Sequence, residues 1–176
     1  MLIRNYFEKL TKNTRGATAI EFALLALPFF GLVIGIIQLG IIFLANQTLD
    51  EAVDVASRQI QTGAIVQTGG NVNNFRTEVC DNVVMISDCE NQILISVQSY
   101  PDFAAVSQAQ ASGQLYTPSG RPVIVNNTFS PGTGGEIVVV SASVFIPIVA
   151  GSIFPGIDDN GLQLVTSLAF KNELFN

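Results

Sequence analysis

One carboxylate lies where carboxylates are seldom found. Glu21 immediately precedes an apolar run, residues 22–44, which contains no charged residue in 23 positions and is interrupted only by Pro28 and Gln38. A carboxylate at the middle of a bilayer costs about 2.5–3.5 kcal/mol, and less near its surface, so such an acid usually has a cationic partner. The plainer interpretation is an acid that only marks the edge of the run. Gly16, five residues earlier, ends a short basic leader.

The two cysteines are the second group of residues whose chemistry could matter. Cys80 and Cys89 are the only cysteines in the chain, which also contains no histidine. A disulfide is the favoured interpretation if this region is exported from the cytoplasm, because disulfides persist in oxidising compartments. A metal site is poorly supported, since no histidine and no second cysteine pair is available to complete a ligand set. The loop is short, so the disulfide would act locally.

The apolar run predicts a transmembrane helix. At 1.5 Å per residue it reaches about 35 Å, which exceeds a hydrocarbon core of about 30 Å. A buried helix of a soluble core is the alternative, but such helices seldom stay apolar on every face for this length. A cleaved secretory signal would have a shorter core, of about 7–15 residues, followed by small residues at the cut. Residues 44–47 offer no such cleavage site.

Charge is distributed unevenly about this run. Residues 1–16 carry a formal charge of +3, whereas residues 46–176 carry −8. Lysine and arginine near a span favour the cytoplasmic side, so the leader is predicted to be cytoplasmic and the rest exported. The acidic balance also excludes nucleic acid as an expected partner, because no basic patch is present to neutralise phosphates.

A helical pattern continues beyond the run. Apolar residues recur at helical spacing from Leu49 to Ile60, with charged residues between them. Gly63 is a predicted C-cap, so one helix is expected from about Thr18 to Thr62, with Pro28 bending it or freeing a carbonyl. The three predicted segments are a leader (1–16), a transmembrane helix with an amphipathic extension (17–63) and an exported β-rich domain (64–176).

Alternating apolar residues predict strands in the remaining chain. We expect a small antiparallel sheet packed on the amphipathic half of the helix, which makes the fold class α+β. The predicted strands are 92–99, 136–146, one that begins near Leu162 and, as a short addition, Val123–Asn126. Glycine- and proline-rich stretches separate them.

Residues 15–22 (Arg-Gly-Ala-Thr-Ala-Ile-Glu-Phe) resemble the start of a type IV prepilin. In that family a membrane aspartyl peptidase cuts after the glycine, and the acid five residues later pairs with the new N-terminal amine of a neighbouring subunit. The resemblance therefore implies cleavage between Gly16 and Ala17, and an assembly role for Glu21 and the adjacent Phe22. A paired carboxylate and ammonium offset each other's cost in lipid.

Three segments more specifically resemble the TadE family, the pilin-like accessory proteins of the tight-adherence (Flp) pilus. They are residues 15–24, 52–63 and 170–173, together with the two cysteines. Phe22 stands where the major Flp pilin usually has tyrosine, and this chain is far longer, so the resemblance implies an accessory pseudopilin. It implies a bacterial inner-membrane location with a periplasmic C-terminal domain. The implied partners are a prepilin peptidase, other pilin-like subunits, the assembly platform and lipid.

Two other functions compete with this interpretation. Enzyme activity is not expected, because the chain lacks histidine and, with its cysteines paired, offers few nucleophile–base combinations; no cofactor and no metal site is expected either. The second rival is a membrane-anchored periplasmic binding or structural domain that is never processed. It shares the predicted topology, so only the leader distinguishes it.

Overall fold

The computed structural model of the protein describes residues 16–84, 86, 88–118, 120–125, 128–146 and 162–174. The chain divides into two compact units at Gly40. Helix α1, Ala17–Gln61, begins in the first unit and ends in the second. The predicted leader lies outside the described residues, apart from Gly16.

The described part of the first unit, residues 16–40, contains most of the apolar part of α1. Its large side chains are exposed on all faces of the helix, as they are at Leu27, Phe30 and Leu39. An 18-residue window of the helix has a mean hydropathy of 2.4, and none of that window is buried within the protein. The helix is therefore long and apolar enough to cross a membrane, and it does not have the burial of a soluble core helix.

The second part of α1 is amphipathic, as predicted. One stripe of the helix is almost fully buried, and it comprises Ala45, Leu49, Ala52, Val53, Ala56 and Ile60. The helix ends at Gln61, and Gly63 follows with φ of 75°, a conformation that glycine adopts without a side-chain clash. The Gly63 N–H donates to the Ile60 carbonyl at 3.0 Å, which confirms the predicted C-cap.

A four-stranded sheet covers this stripe. Its strands are β1 (Leu94–Tyr100), β2 (Thr128–Phe129), β3 (Ile137–Ile146) and β4 (Leu162–Lys171), in the order β2-β1-β3-β4. β3 is antiparallel to both β1 and β4. The even-numbered side chains of β3 from Val138 to Val144 are fully buried in one apolar cluster with the α1 stripe. The predicted α+β fold is confirmed.

Two details of the sheet differ from the prediction. β2 runs parallel to β1, with Ser96 opposite Thr128, so the sheet is mixed and not purely antiparallel. The short strand predicted at Val123–Asn126 is wrong: residues 123–125 form no strand, and Asn126 lies outside the described residues. The nearby chain instead makes an isolated bridge between Tyr116 and Pro122.

Four further helices are present that the sequence pattern did not predict. They are α2 (Ala64–Gln67), α3 (Val72–Asn82), α4 (Cys89–Gln92) and α5 (Phe103–Ala111). α3 adds Phe75 and Val79 to the main cluster, whereas α5 packs Ala109 against Val139 on the opposite face of the sheet. The sheet is thus covered on both faces, which explains why odd-numbered β3 residues such as Val139 are also buried.

Cys80 and Cys89 form a disulfide, with their α-carbons 5.7 Å apart. The bond joins α3 to the start of α4, and β1 begins two residues after α4 ends. It therefore fixes the entry into the sheet. We expect neither thiol of the purified protein to react with an alkylating agent unless reductant is added. Cys80→Ser with Cys89→Ser is the matched control, and labelling of the native chain without reductant would contradict the disulfide and reopen the metal interpretation.

Candidate functional site

The candidate processing position lies at the start of α1. Gly16 is an exposed residue that directly precedes the helix, and Ala17 is the first helical residue. A Cβ atom added to Gly16 would meet nothing within 4 Å, and its φ is not in the left-handed range. The described residues therefore impose no requirement for glycine at this position.

Glu21 lies one turn into the helix among apolar side chains. Its neighbours Ile20, Phe22 and Leu24 are all largely exposed. Among the described residues, the Glu21 carboxylate has neither an ion-pair partner nor a hydrogen-bond donor. The predicted site residues Gly16, Ala17, Glu21 and Phe22 thus lie together at one end of the helix, where the Glu21 carboxylate has no cationic partner among the described residues.

The chemistry available at this end is charge pairing. A positive charge at the first helical residue would lie four residues from Glu21, which is about 6 Å along the helix axis. Residues four apart share one helix face, so amine and carboxylate would form one polar spot on an apolar surface.

The second unit offers little catalytic chemistry among its described residues. No group of three or more aspartate, glutamate or cysteine side chains is placed to hold a metal ion in the described part of the chain. An open groove of about 580 Å³ lies beside β1 and contains no charged residue. Its lining residues are Gln98, Ser99, Tyr100, Gln114, Val123, Val125, Thr128 and Ser130.

Tyr100 is the ionisable group of that groove. Burial raises the pKa of the Tyr100 hydroxyl above its usual value, so the group stays protonated at neutral pH. The hydroxyl donates a hydrogen bond to Gln98 Oε1 at 2.7 Å. A protonated, already bonded phenol is a poor nucleophile or base, and the groove is better suited to hydrogen bonding than to catalysis.

Asn172 is a structural residue whose role the sequence did not predict. Its side-chain amide donates to the carbonyls of Pro131 (2.9 Å) and Thr133 (3.2 Å), and its backbone N–H donates to the Glu136 carbonyl at 2.8 Å. It is almost completely buried. Asn172 therefore holds the glycine-rich loop before β3 against the end of β4.

The comparisons with known proteins give one result. The family model of TadE-like proteins matches residues 16–58. Residues 16–58 are therefore similar to TadE-like proteins. The match confirms the resemblance drawn from the sequence over that range, and no curated protein and no solved structure matches the chain.

Residues 16–58, the segment similar to TadE-like proteins, contain both the proposed cleavage position after Gly16 and the carboxylate of Glu21. This segment begins at Gly16, includes Glu21 and the apolar part of α1, and ends on the buried stripe just before Ile60. The two cysteines and Phe170–Glu173 lie outside it. The disulfide and the role of Asn172 are therefore known from the structure of this chain alone.

Proposed function

We propose that this protein is a minor, pilin-like accessory subunit in the assembly of a tight-adherence (Flp) pilus. It is anchored in the bacterial inner membrane by the apolar part of α1, and a prepilin peptidase removes residues 1–16. The observation that carries this proposal is the TadE-like match over residues 16–58, which begins at the proposed cleavage position.

Two features of the helix end support processing and assembly. A Cβ atom at Gly16 would meet no atom within 4 Å, so the described residues do not require glycine there. A protease that must approach the backbone closely would require it. Glu21 is exposed among apolar side chains without a cation among the described residues. The amine of a cleaved Ala17 on a neighbouring subunit would supply that cation within lipid.

The role proposed for the exported unit is structural and not enzymatic. Its described residues form a disulfide-fixed α+β domain on the end of α1, and its open groove beside β1 lacks charged groups. Such a domain suits a subunit that contacts other pilin-like subunits and the assembly platform. The mass of the chain extracted from the membrane tests the proposal: it should begin at Ala17, and a chain that begins at Met1 in cells with an active prepilin peptidase would favour the unprocessed anchored domain.

The topology follows from the charge asymmetry. A reporter enzyme that is active only outside the cytoplasm, fused after Asn176, should be active, because the four basic residues before Gly16 hold the leader in the cytoplasm. Replacing those four residues with glutamine should lower the active fraction. A stable but inactive fusion to the native chain would contradict the proposed topology.

A further inference from the structure

A small cavity lies between the last turns of α1 and the end of β4, and all of its lining residues belong to the second unit. The Glu173 N–H donates to the Gln61 carbonyl at 2.9 Å, which holds the two elements together at this point. The volume of this α1–β4 cavity is about 290 Å³. Pockets that hold a whole small molecule have volumes of about 300–1,000 Å³, so this cavity is better suited to a single long side chain.

The buried part of the α1–β4 cavity contains an unused hydrogen-bonding group. Ser57 lines the cavity and is only 2% exposed, and its hydroxyl oxygen has no hydrogen-bond partner in the described part of the chain. Leu168 and Phe170, two half-buried side chains of β4, line the same space. The cavity therefore offers apolar walls together with a buried hydroxyl that an incoming group could satisfy.

The exposed rim of the cavity has an excess of negative charge. Its charged lining residues are Asp54, Arg58 and Glu173, two carboxylates and one guanidinium. Arg58 lies 3.7 Å from Asp54, but the two side chains are 74% and 55% exposed, so this ion pair is weak. Glu173 has no cationic partner among the described residues. The rim therefore favours a cationic side chain.

An arginine without an acidic partner lies on the other face of the sheet. Arg121 is exposed, and none of the described carboxylates pairs with it. Its turn is held by two hydrogen bonds, from the Thr117 N–H to the Arg121 carbonyl at 2.7 Å and from the Arg121 N–H to the Thr117 hydroxyl at 3.1 Å. The adjacent Tyr116 packs with Val139 on the face that α5 covers, whereas Phe170 packs on the face that α1 covers.

We propose that the turn of one copy of this chain inserts Arg121 into the α1–β4 cavity of a second copy. A guanidinium has five N–H donors in a planar fork, which can bond to the carboxylates of Asp54 and Glu173 and to the unpartnered Ser57 hydroxyl. The apolar stem of the arginine would lie along Phe170, whose ring also attracts a cation. The occupant is a second copy because the charges of the cavity and of the turn are complementary.

The arrangement of the two surfaces determines what the contact builds. Arg121 and the cavity lie on opposite faces of the sheet, so the contact joins unlike surfaces. Contacts between unlike surfaces repeat from copy to copy, as a row or a ring of subunits. This inference goes beyond the proposed function, because it requires neither cleavage of the leader nor any other pilus protein.

Cysteine cross-linking of the full chain in membranes tests the contact. Thr62→Cys at the cavity rim and Pro118→Cys near Arg121 are exposed positions whose substitution leaves every charge in place. Because Cys80 and Cys89 form a disulfide, only the introduced thiols should react with a short bismaleimide. The double variant should give a ladder of dimers, trimers and longer products, whereas the two single variants produced together should stop at dimers. Absence of cross-links from the double variant would overturn the proposal, and dimers alone would overturn the repeating contact.

Exchange of charges tests whether Arg121 carries the contact. In the double-cysteine chain, Arg121→Glu should reduce the ladder by about tenfold or more, and adding Glu173→Arg should restore most of it. Lys171→Glu is the matched control, because it makes the same change of charge at an exposed residue that does not line the cavity, and it should not reduce the ladder. A ladder that Arg121→Glu leaves unchanged would overturn the proposal.

Ser57→Ala separates docking from folding. The Ser57 hydroxyl has no partner within the described part of a single copy, so its removal should not lower the thermal unfolding midpoint. It should nevertheless reduce the ladder several-fold, because the inserted guanidinium loses an acceptor. A ladder of native intensity from Ser57→Ala would contradict the role assigned to this hydroxyl in the contact.

Discussion

Replacing Gly16 with leucine should leave a full-length precursor in the membrane. A protease that binds the chain in an extended form must approach the backbone closely, and a side chain at the residue before the cut would obstruct that approach. The described part of the fold would not be disturbed, because a Cβ atom at Gly16 would meet no atom within 4 Å. Mass spectrometry of the membrane-extracted chain should therefore show residues 1–16 retained in the variant and absent from the native protein.

Gly31 provides the matched control for this substitution. It also lies in open space on α1, but fifteen residues further along the helix. Gly31→Leu should be cleaved as completely as the native chain. Cleavage of Gly16→Leu at the native rate would contradict the processing signal, and retention of the leader in both variants would point to a general defect in membrane insertion.

The long helix and the long strands were predictable because each has a repeating pattern. The buried stripe of α1 recurs at helical spacing, and Val138, Val140 and Val144 alternate along one strand face. Such repeats identify an element whatever its partners are. The candidate site at Gly16 and Glu21 stays a prediction from the sequence, which singles out Glu21 because an acid at the edge of an apolar run is unusual in any fold.

Two of the four missed helices, α3 and α5, carry a sequence signal in their N-caps. The Asn71 side chain accepts from the Asn73 and Asn74 backbone N–H groups, and Asp102 accepts from the Ala105 N–H at 2.7 Å. Both residues are favoured N-caps and mark where α3 and α5 begin. The segments that follow are short and weakly amphipathic, so a search for apolar periodicity alone passed over them.

The parallel edge strand and the role of Asn172 could not be found from local sequence. β2 has two residues, and its pairing with β1 depends on how the chain returns to the sheet after α5. Asn172 bonds to carbonyls 39 and 41 residues away. Contacts of this kind depend on the tertiary fold, and no local pattern in the sequence predicts them.

Replacing Glu21 with alanine should leave cleavage intact and abolish pilus assembly or adherence. The cleaved Ala17 amine of a neighbouring subunit would then lack its carboxylate within lipid. Removing one partner of a buried ion pair costs about 3–5 kcal/mol, because the other charge is left uncompensated. Subunit association should weaken by on the order of a hundred- to a few thousandfold, since about 1.4 kcal/mol corresponds to a factor of ten.

The nature of the substitution identifies the interaction that is lost. Glu21→Gln keeps the size and polarity of the side chain but removes the charge, so it should fail as Glu21→Ala does, whereas Glu21→Asp should retain part of the assembly. Glu51→Ala removes an exposed acid from the polar face of α1 and serves as the control that should assemble normally. The measurements are the mass of the membrane-extracted chain and the yield of sheared pili. Normal pili from Glu21→Gln would show that polarity is sufficient at this position and that charge pairing with the neighbouring amine does not drive assembly.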